Sequence, residues 1–448
     1  MYIAQEGTYP LNLPMTYPAE PVNGVLIAGG DAPGSHSPGF CYPDRLADEI
    51  GVKAGKYIVA DRIDGLVRAG EKAKALSRLQ KMIESRTRAA LYLMDRQPWD
   101  LLMVLFTASD SAQHYFWENL AGGPYQNAIL TVFRHLDAAL GELLAKAGDG
   151  TTTIVLSDHG FGELVVTAEF LNDFLSELGL LRYRARSDSR TRLLRQMFAQ
   201  LEKTLSDRAK AWLLQRFPRL RGLRGMVLGG IDWSTTRAFN LVGSSQIWIN
   251  LRGHYPAGIV SPGQEYEDIV SLIQRALTEA IDPTSGQPAV KAVHRQTDLY
   301  HGPFLDQAPD LLVEWADEPA RSGLAWNGDE RQVVTIRKAA YRPFLINGGH
   351  RKMGIFVAAG APFRTGTTIE GATLYDIAPT LLYLMDQPIP TNLDGQLLSN
   401  AMNERWLQTQ PPRFTEEDQD SFSGPAVSMP TKEEDTVMGR LRALGYVE

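Results

Sequence analysis

Two short apolar runs limit the fold of this chain more than any other feature. Residues 101–107 read LLMVLFT and residues 152–157 read TTIVLS. Neither alternates apolar with polar residues, the pattern of a strand covered on both faces, as in a parallel sheet. Between them, residues 124–146 set Tyr125, Ile129, Val132, Phe133, Leu136, Leu140, Leu143 and Leu144 at helical spacing. Strand, helix and strand in that order predict a right-handed βαβ unit and an α/β chain. Residues 25–28 (VLIA), 309–315 and 354–359 (GIFVAA) predict further strands. Residues 71–95, 263–280 and 374–385 predict helices, and 232–252 a hairpin turning at Gly-Ser-Ser. At 448 residues the length suits about three domain-sized units, or one large core with insertions.

Composition narrows the function classes. The net charge is −7, which argues against a chain that coats nucleic acid. Cys41 is the single cysteine, so neither a disulfide framework nor a thiolate metal cage is available. No stretch approaches the roughly 18 consecutive apolar residues of a membrane span. The opening, residues 1–18, has neither the basic nor the apolar region of a signal peptide, and it lacks the polar, loose character of most chain starts. Residues 182–224 carry thirteen basic residues against three acidic ones. That segment reads as a solvated helical insertion, or as an electrostatic lure for an anionic substrate or acidic membrane. Beyond Pro411 the tail is acidic and polar, with a short helix expected over 437–444.

Chemistry must therefore come from carboxylates, imidazoles, hydroxyls and backbone. Asp110 sits three residues past the first apolar run, and His114 follows four residues later. If the chain turns into a helix there, i and i+4 put both side chains on one face. Alone, that spacing occurs by chance in many chains. Asp158-His159-Gly160-Phe161-Gly162 follows directly on the second run. Both acidic elements thus lie at the carboxyl ends of strands, where open α/β sheets hold their ligands. A capping Asp and a surface His are the alternative for the second element, and its placement favours the functional reading. The third element is Gly348-Gly349-His350, where in isolation a core or surface His is the plainer reading. Together they supply two Asp and three His, a mixed nitrogen and oxygen donor set suited to zinc or manganese rather than magnesium or calcium. Two such ions can clamp the oxygens of a phosphoryl transfer.

Ser109-Asp110-Ser111-Ala112-Gln113-His114, Asp158-His159-Gly160-Phe161 and Gly349-His350-Arg351 resemble metal motifs of the alkaline phosphatase superfamily, in its type I phosphodiesterase and nucleotide pyrophosphatase branch. Residues 11–18, 232–238, 376–381 and 441–446 extend the resemblance over nearly the whole chain. It implies a mostly parallel central sheet flanked by helices, formed by residues 1–181 and 305–448. Residues 182–304 would then be an inserted cap with a basic helical segment and a hairpin. By the same resemblance Asp110, His114 and His350 hold one ion, and Asp158 and His159 hold part of a second. The family completes the second ion with an Asp at the end of its first strand and with a Ser or Thr nucleophile, which forms a covalent phospho-enzyme. Neither precedes residues 11–18 here. Asp31 with Ser35 and Ser37 mimics that order but falls too late and too close together. The first strand is therefore expected to be missing, the second metal site incomplete, and catalysis impaired in this chain.

The expected activity is metal-dependent hydrolysis of phosphodiesters, nucleotide pyrophosphates or phosphate monoesters, on a small phosphorylated substrate. The competing readings are a catalytically inactive metal-binding or scaffold paralogue and a phosphomutase. A sulfatase is disfavoured because Cys41 lies in Gly-Phe-Cys-Tyr-Pro, without the context for modification, and reads as a buried thiol. Arg351 beside His350 is a candidate phosphate contact or a surface Arg. Tyr115 and Trp117 are candidates for pocket lining or for core packing. A cytoplasmic location is expected, with no nucleic-acid polymer as partner.

Overall fold

The computed structural model describes residues 7–96, 98–164, 167–183, 231–241, 244–316, 320, 322–328, 332–336 and 346–416. Most of the basic segment 182–224 and the expected helix 437–444 lie outside them. The fold is mixed α/β, in two compact units: Met1–Leu164 with Arg342–Glu448, and Val165–Tyr341. The second unit is wider at both ends than the insertion expected over 182–304.

The first unit opens with β1 (Thr8–Leu13), β2 (Leu26–Ala28) and β3 (Cys41–Tyr42), followed by α1 (Leu46–Lys53), α2 (Asp64–Arg68) and α3 (Lys72–Arg96). β4 (Leu101–Val104) completes a sheet of order β3-β2-β1-β4. β1 is parallel to β2 and to β4, whereas β3 is antiparallel. Tyr9, Leu11, Ile27, Leu46 and Ile50 form the core beneath it, with Cys41 a buried thiol among them. α4 (Ala108–Phe116) and α5 (Ala128–Ala147) follow. The apolar stripe of α3, Ala75, Leu79, Met82 and Ile83, packs against Ala108, Ala112 and Phe116 of α4 and Val132 of α5. β5 (Thr153–Leu156) and β6 (Gly160–Glu163) end this part of the unit.

The second unit has its own core. α6 (Leu171–Glu177) leads to β7 (Ala238–Phe239) and β8 (Gln246–Ile249), the expected hairpin. α7 (Gln264–Thr278) precedes β9 (Val290–Arg295) and β10 (Leu311–Trp315), giving an antiparallel sheet of order β7-β8-β10-β9. β11 (Gly323–Asn327) and β12 (Gln332–Ile336) pair antiparallel beside it in sequence. Phe174, Ile247, Ile249, Ile273, Leu311 and Leu324 are among the residues that bury this core.

The chain then returns to the first unit with β13 (Gly348–Arg351) and β14 (Phe356–Ala359), followed by α8 (Ile377–Leu384). Here the expected βαβ unit changes form. β5 does not pair with β4 among the described residues; it pairs antiparallel with β14. Among the described residues β4 pairs with β1 alone, and parallel pairing in this part of the unit joins β2, β1 and β4 and does not extend to β5. The two apolar runs are half-buried rather than covered on both faces, with Met103 exposed. Among the described residues each of the two strands has a neighbour on one edge alone, which leaves its faces less covered. α5 shows the same effect: Leu130, Phe133 and Leu144 are exposed, and only its small residues and Val132 are fully buried. An apolar run specifies that a strand wants neighbours, not that both are present.

Candidate metal centre

Both acidic elements sit just past strand ends because the chain turns there. β4 runs through Phe106 into α4, with Thr107 at the helix N-cap. On α4 the i, i+4 spacing holds, and Asp110 Oδ1 lies 3.3 Å from His114 Nε2. β5 leads to Asp158 and His159, whose Nε2 is 3.6 Å from Asp158 Oδ1 and 3.8 Å from Asp110 Oδ1. His350 comes from β13, which pairs antiparallel with β6 so that His350 stands opposite Phe161. Its Nε2 is 3.2 Å from Asp110 Oδ1 and 3.0 Å from His114 Nε2. All five candidate ligands therefore meet, and Asp110 Oδ1 is the hub.

His350 lies on a short strand of its own, just ahead of β14. The glycines explain why that pairing forms. They serve close approach rather than an unusual backbone turn. A Cβ on Gly348 would lie 2.2 Å from the Gln113 carbonyl oxygen on α4, and one on Gly160 would lie 2.0 Å from the Met353 carbonyl oxygen. Gly348→Ala is accordingly expected to push β13 off α4. Overpacking of this kind costs about 1–3 kcal/mol, and the effect is a lower urea midpoint together with weaker metal binding. Wild-type values for both would show that the backbone has room to move there.

Imidazole orientation comes from backbone carbonyls. His114 Nδ1 lies 2.9 Å from the Gly348 carbonyl oxygen, and His159 Nδ1 lies 3.1 Å from that of Gly160. A carbonyl only accepts, so each Nδ1 carries the proton and donates it, leaving Nε2 directed at Asp110. This is the outer hydrogen bond that metal-binding histidines commonly make. Phe161 packs edge-on against two of the rings, with centroids 4.8 Å from His114 and 5.4 Å from His350, and the His159 and His350 rings stack at 3.7 Å. Neither the carbonyl acceptors nor the Phe161 contacts were visible in the spacing of the motifs.

Electrostatics agree with the geometry. Burial alone would raise the Asp110 carboxyl, but hydrogen bonds from His114 and His350, with their charge, together hold it well below the usual carboxylate range. Burial works against a charged His114, yet the hydrogen bond and charge of Asp110 raise that imidazole above its ordinary 6.5. Asp110 is mostly shielded, with a side chain 26% exposed, whereas Asp158 is half-exposed at 48%.

The donor set fits a divalent ion. With bonds of about 2.0–2.1 Å, a tetrahedral ion spaces its donor atoms about 3.3 Å apart. Asp110 Oδ1, His114 Nε2 and His350 Nε2 stand 3.0–3.3 Å from one another. Ligand atoms of Asp110, His159 and His350 likewise all lie within 4.8 Å of one another. Arg351 is differently engaged: Nη2 donates to the Glu163 carbonyl at 2.7 Å and Nη1 to that of His350 at 2.9 Å, with the guanidinium lying against Gly162. Trp117 reaches the edge of the cluster through Phe161, and Tyr115 packs on the helical core.

Among known families, the one described as type I phosphodiesterase / nucleotide pyrophosphatase matches residues 20–338. No curated protein matches the chain. Of the solved structures, human ectonucleotide pyrophosphatase / phosphodiesterase 5 is similar at 12% identity and a TM-score of 0.35, over 72% of this chain. The chain spans 64% of the length of that protein. No helix among the described residues is long and apolar enough to cross a membrane.

Proposed function

The chain belongs to the type I phosphodiesterase / nucleotide pyrophosphatase family, and from that premise we propose that it is built as a metal-dependent hydrolase of small phosphodiesters, nucleotide pyrophosphates or phosphate monoesters. The observation that carries the reading is the convergence of three imidazole Nε2 atoms, from α4, the turn after β5 and β13, on Asp110 Oδ1. Asp110, His114 and His350 would hold one zinc or manganese ion; Asp158 and His159 would hold part of a second. Divalent cations there supply the positive charge that phosphoryl transfer needs as charge builds on its oxygens. The chain's own residues prepare the place. The Gly348 and Gly160 carbonyls take the Nδ1 protons of His114 and His159, so that in the neutral rings Nε2 is the nitrogen left for a metal, and Phe161 walls one side of the cluster. Arg351 would contact phosphate only by giving up its bonds to the Glu163 and His350 carbonyls, so its first task is to brace β6 against β13.

A second part of the proposal concerns the nucleophile. We assign the Ser or Thr, and the remaining Asp ligand, to a further strand that would lie between β4 and β5. What supports this is that, among the described residues, β4 and β5 each pair on one edge, while the residues after both reach the same cluster. A parallel strand between them would end at the metal centre.

Metal binding and its pH dependence test the first part. The purified chain is expected to hold at least one zinc or manganese ion at pH 8. Affinity should fall toward pH 5.5, because protons compete for the imidazoles. The raised His114 pushes that competition above 6.5, whereas Asp110 stays ionised throughout the window. Each imidazole that must lose a proton contributes about a tenfold change per pH unit below its pKa. A chain that is metal-free at pH 8 in excess zinc and manganese overturns the ligand assignment.

A further inference from the structure

α4 carries two of the candidate ligands, yet nothing in its own sequence fixes where it starts. Its N-cap residue, Thr107, makes no side-chain capping bond. The Thr107 hydroxyl instead accepts from Arg86 Nη1 on α3, at 3.1 Å. Arg86 is only 1% exposed. The same nitrogen donates to the Leu105 carbonyl at 3.1 Å, and Nη2 donates to the Val59 carbonyl at 3.1 Å. One buried guanidinium thus ties α3 to the turn between β4 and α4 and to the extended segment at Val59. A planar fork can span two segments in this way; a lysine ammonium on one stem cannot.

The segment of residues 56–61 is held along α3 by its whole length. Ser85 Oγ donates to the Lys56 carbonyl at 2.9 Å and accepts from Ile58 N at 3.0 Å. Arg78 Nη2 donates to the Ala60 carbonyl at 3.3 Å, and its Nε to the Asp61 carbonyl. The segment ends by placing the Asp61 carboxylate against α4, where it accepts from Ser111 Oγ, the residue next to Asp110. Arg86 and Asp61 also attract one another in this low-dielectric layer.

We propose that Arg86 and Asp61 are positioning residues that clamp the first turn of α4 at Thr107 and Ser111 and so set the Asp110–His114 pair in metal-binding geometry. The inference rests on the proposed function, since it requires that pair to bind an ion. The clamp grips α4 on both sides of Asp110 through two hydroxyls, and neither hydroxyl touches the ligand cluster itself. A helix rotated or slid by a fraction of a turn would still pack Ala108, Ala112 and Phe116 but would carry Oδ1 away from the three imidazoles.

The test removes the hydroxyls rather than the buried charges, because Arg86→Ala or Asp61→Ala would leave a charge unpaired in the core and risk unfolding. Thr107→Val and Ser111→Ala in the full chain are measured for zinc affinity by competition with a chromophoric chelator, and for melting temperature without metal. Outer-shell partners of metal ligands are typically worth 10–100-fold in affinity. Each variant is expected to weaken zinc binding about tenfold, and the double variant more, while the metal-free melting temperature moves by only a few degrees. Zinc affinity within twofold of wild type in the double variant overturns the clamp while leaving the metal reading intact. A fall in melting temperature with zinc affinity of the folded chain unchanged also overturns it, since that is what a merely structural pair would do. Absence of zinc binding in the wild type sinks the metal reading, and the clamp with it.

Discussion

Asp110→Ala is expected to lower the affinity of the chain for zinc or manganese on the order of 10³-fold, read by calorimetric titration. Its Oδ1 is the atom to which three imidazoles are turned, at 3.2–3.8 Å. Truncating one partner of a close, shielded charge contact typically costs 2–5 kcal/mol, and every 1.4 kcal/mol is a factor of ten. Asp158, by contrast, lies 3.6 Å from His159 Nε2 and is half-exposed. Asp110→Asn keeps the shape and loses the charge, and it is expected to lose nearly as much. Metal content equal to wild type in either variant, with circular dichroism unchanged, would remove Asp110 from the centre and with it the reason to read the three histidines together.

Hydrolysis of an aryl phosphodiester in the presence of zinc or manganese is expected to run near background for the chain of 448 residues. It should rise on the order of 10⁴-fold or more if an added N-terminal strand supplies the Asp and the hydroxyl. The magnitude follows from what removal of a nucleophile costs in enzymes that depend on covalent catalysis. The same extension should raise the melting temperature, because β4 and β5 would each gain a second neighbour and the half-buried apolar residues of both strands would be covered. Metal bound, strand supplied and turnover still at background would identify an inert metal-binding paralogue instead.

The parts of the site that were legible from sequence are the local ones. An i, i+4 pair on a helix that starts after a strand needs only α4 itself, and Asp158-His159 needs only the end of β5. His350 was harder because its place depends on β13 pairing with β6, nearly two hundred residues earlier, through glycines whose value lies in what they allow to come close. Arg86 and Asp61 were invisible for a related reason. Arg86 reads as one polar position in an amphipathic helix, and only the packed structure turns its donors toward Val59, Leu105 and Thr107. The covering of β4 and β5 was over-read: continuous apolar sequence identifies a strand meant for an interior, but burial depends on neighbours that the strand does not encode. Residues 184–230, which hold most of the basic segment, lie outside the described part of the chain, so its charge stays a feature of the sequence alone.

The one-sided strands also bear on how the isolated chain behaves in the tube. Among the described residues β4 and β5 each pair along one edge, with Met103 of β4 and Val357 of β14, the partner of β5, exposed. At high concentration the first suitable strand a molecule meets belongs to its twin, and such edge-to-edge zippering grows without a natural stopping point. Aggregation of this chain would then be a matter of sheet geometry rather than of unfolding, worsening with concentration while every helix remains intact.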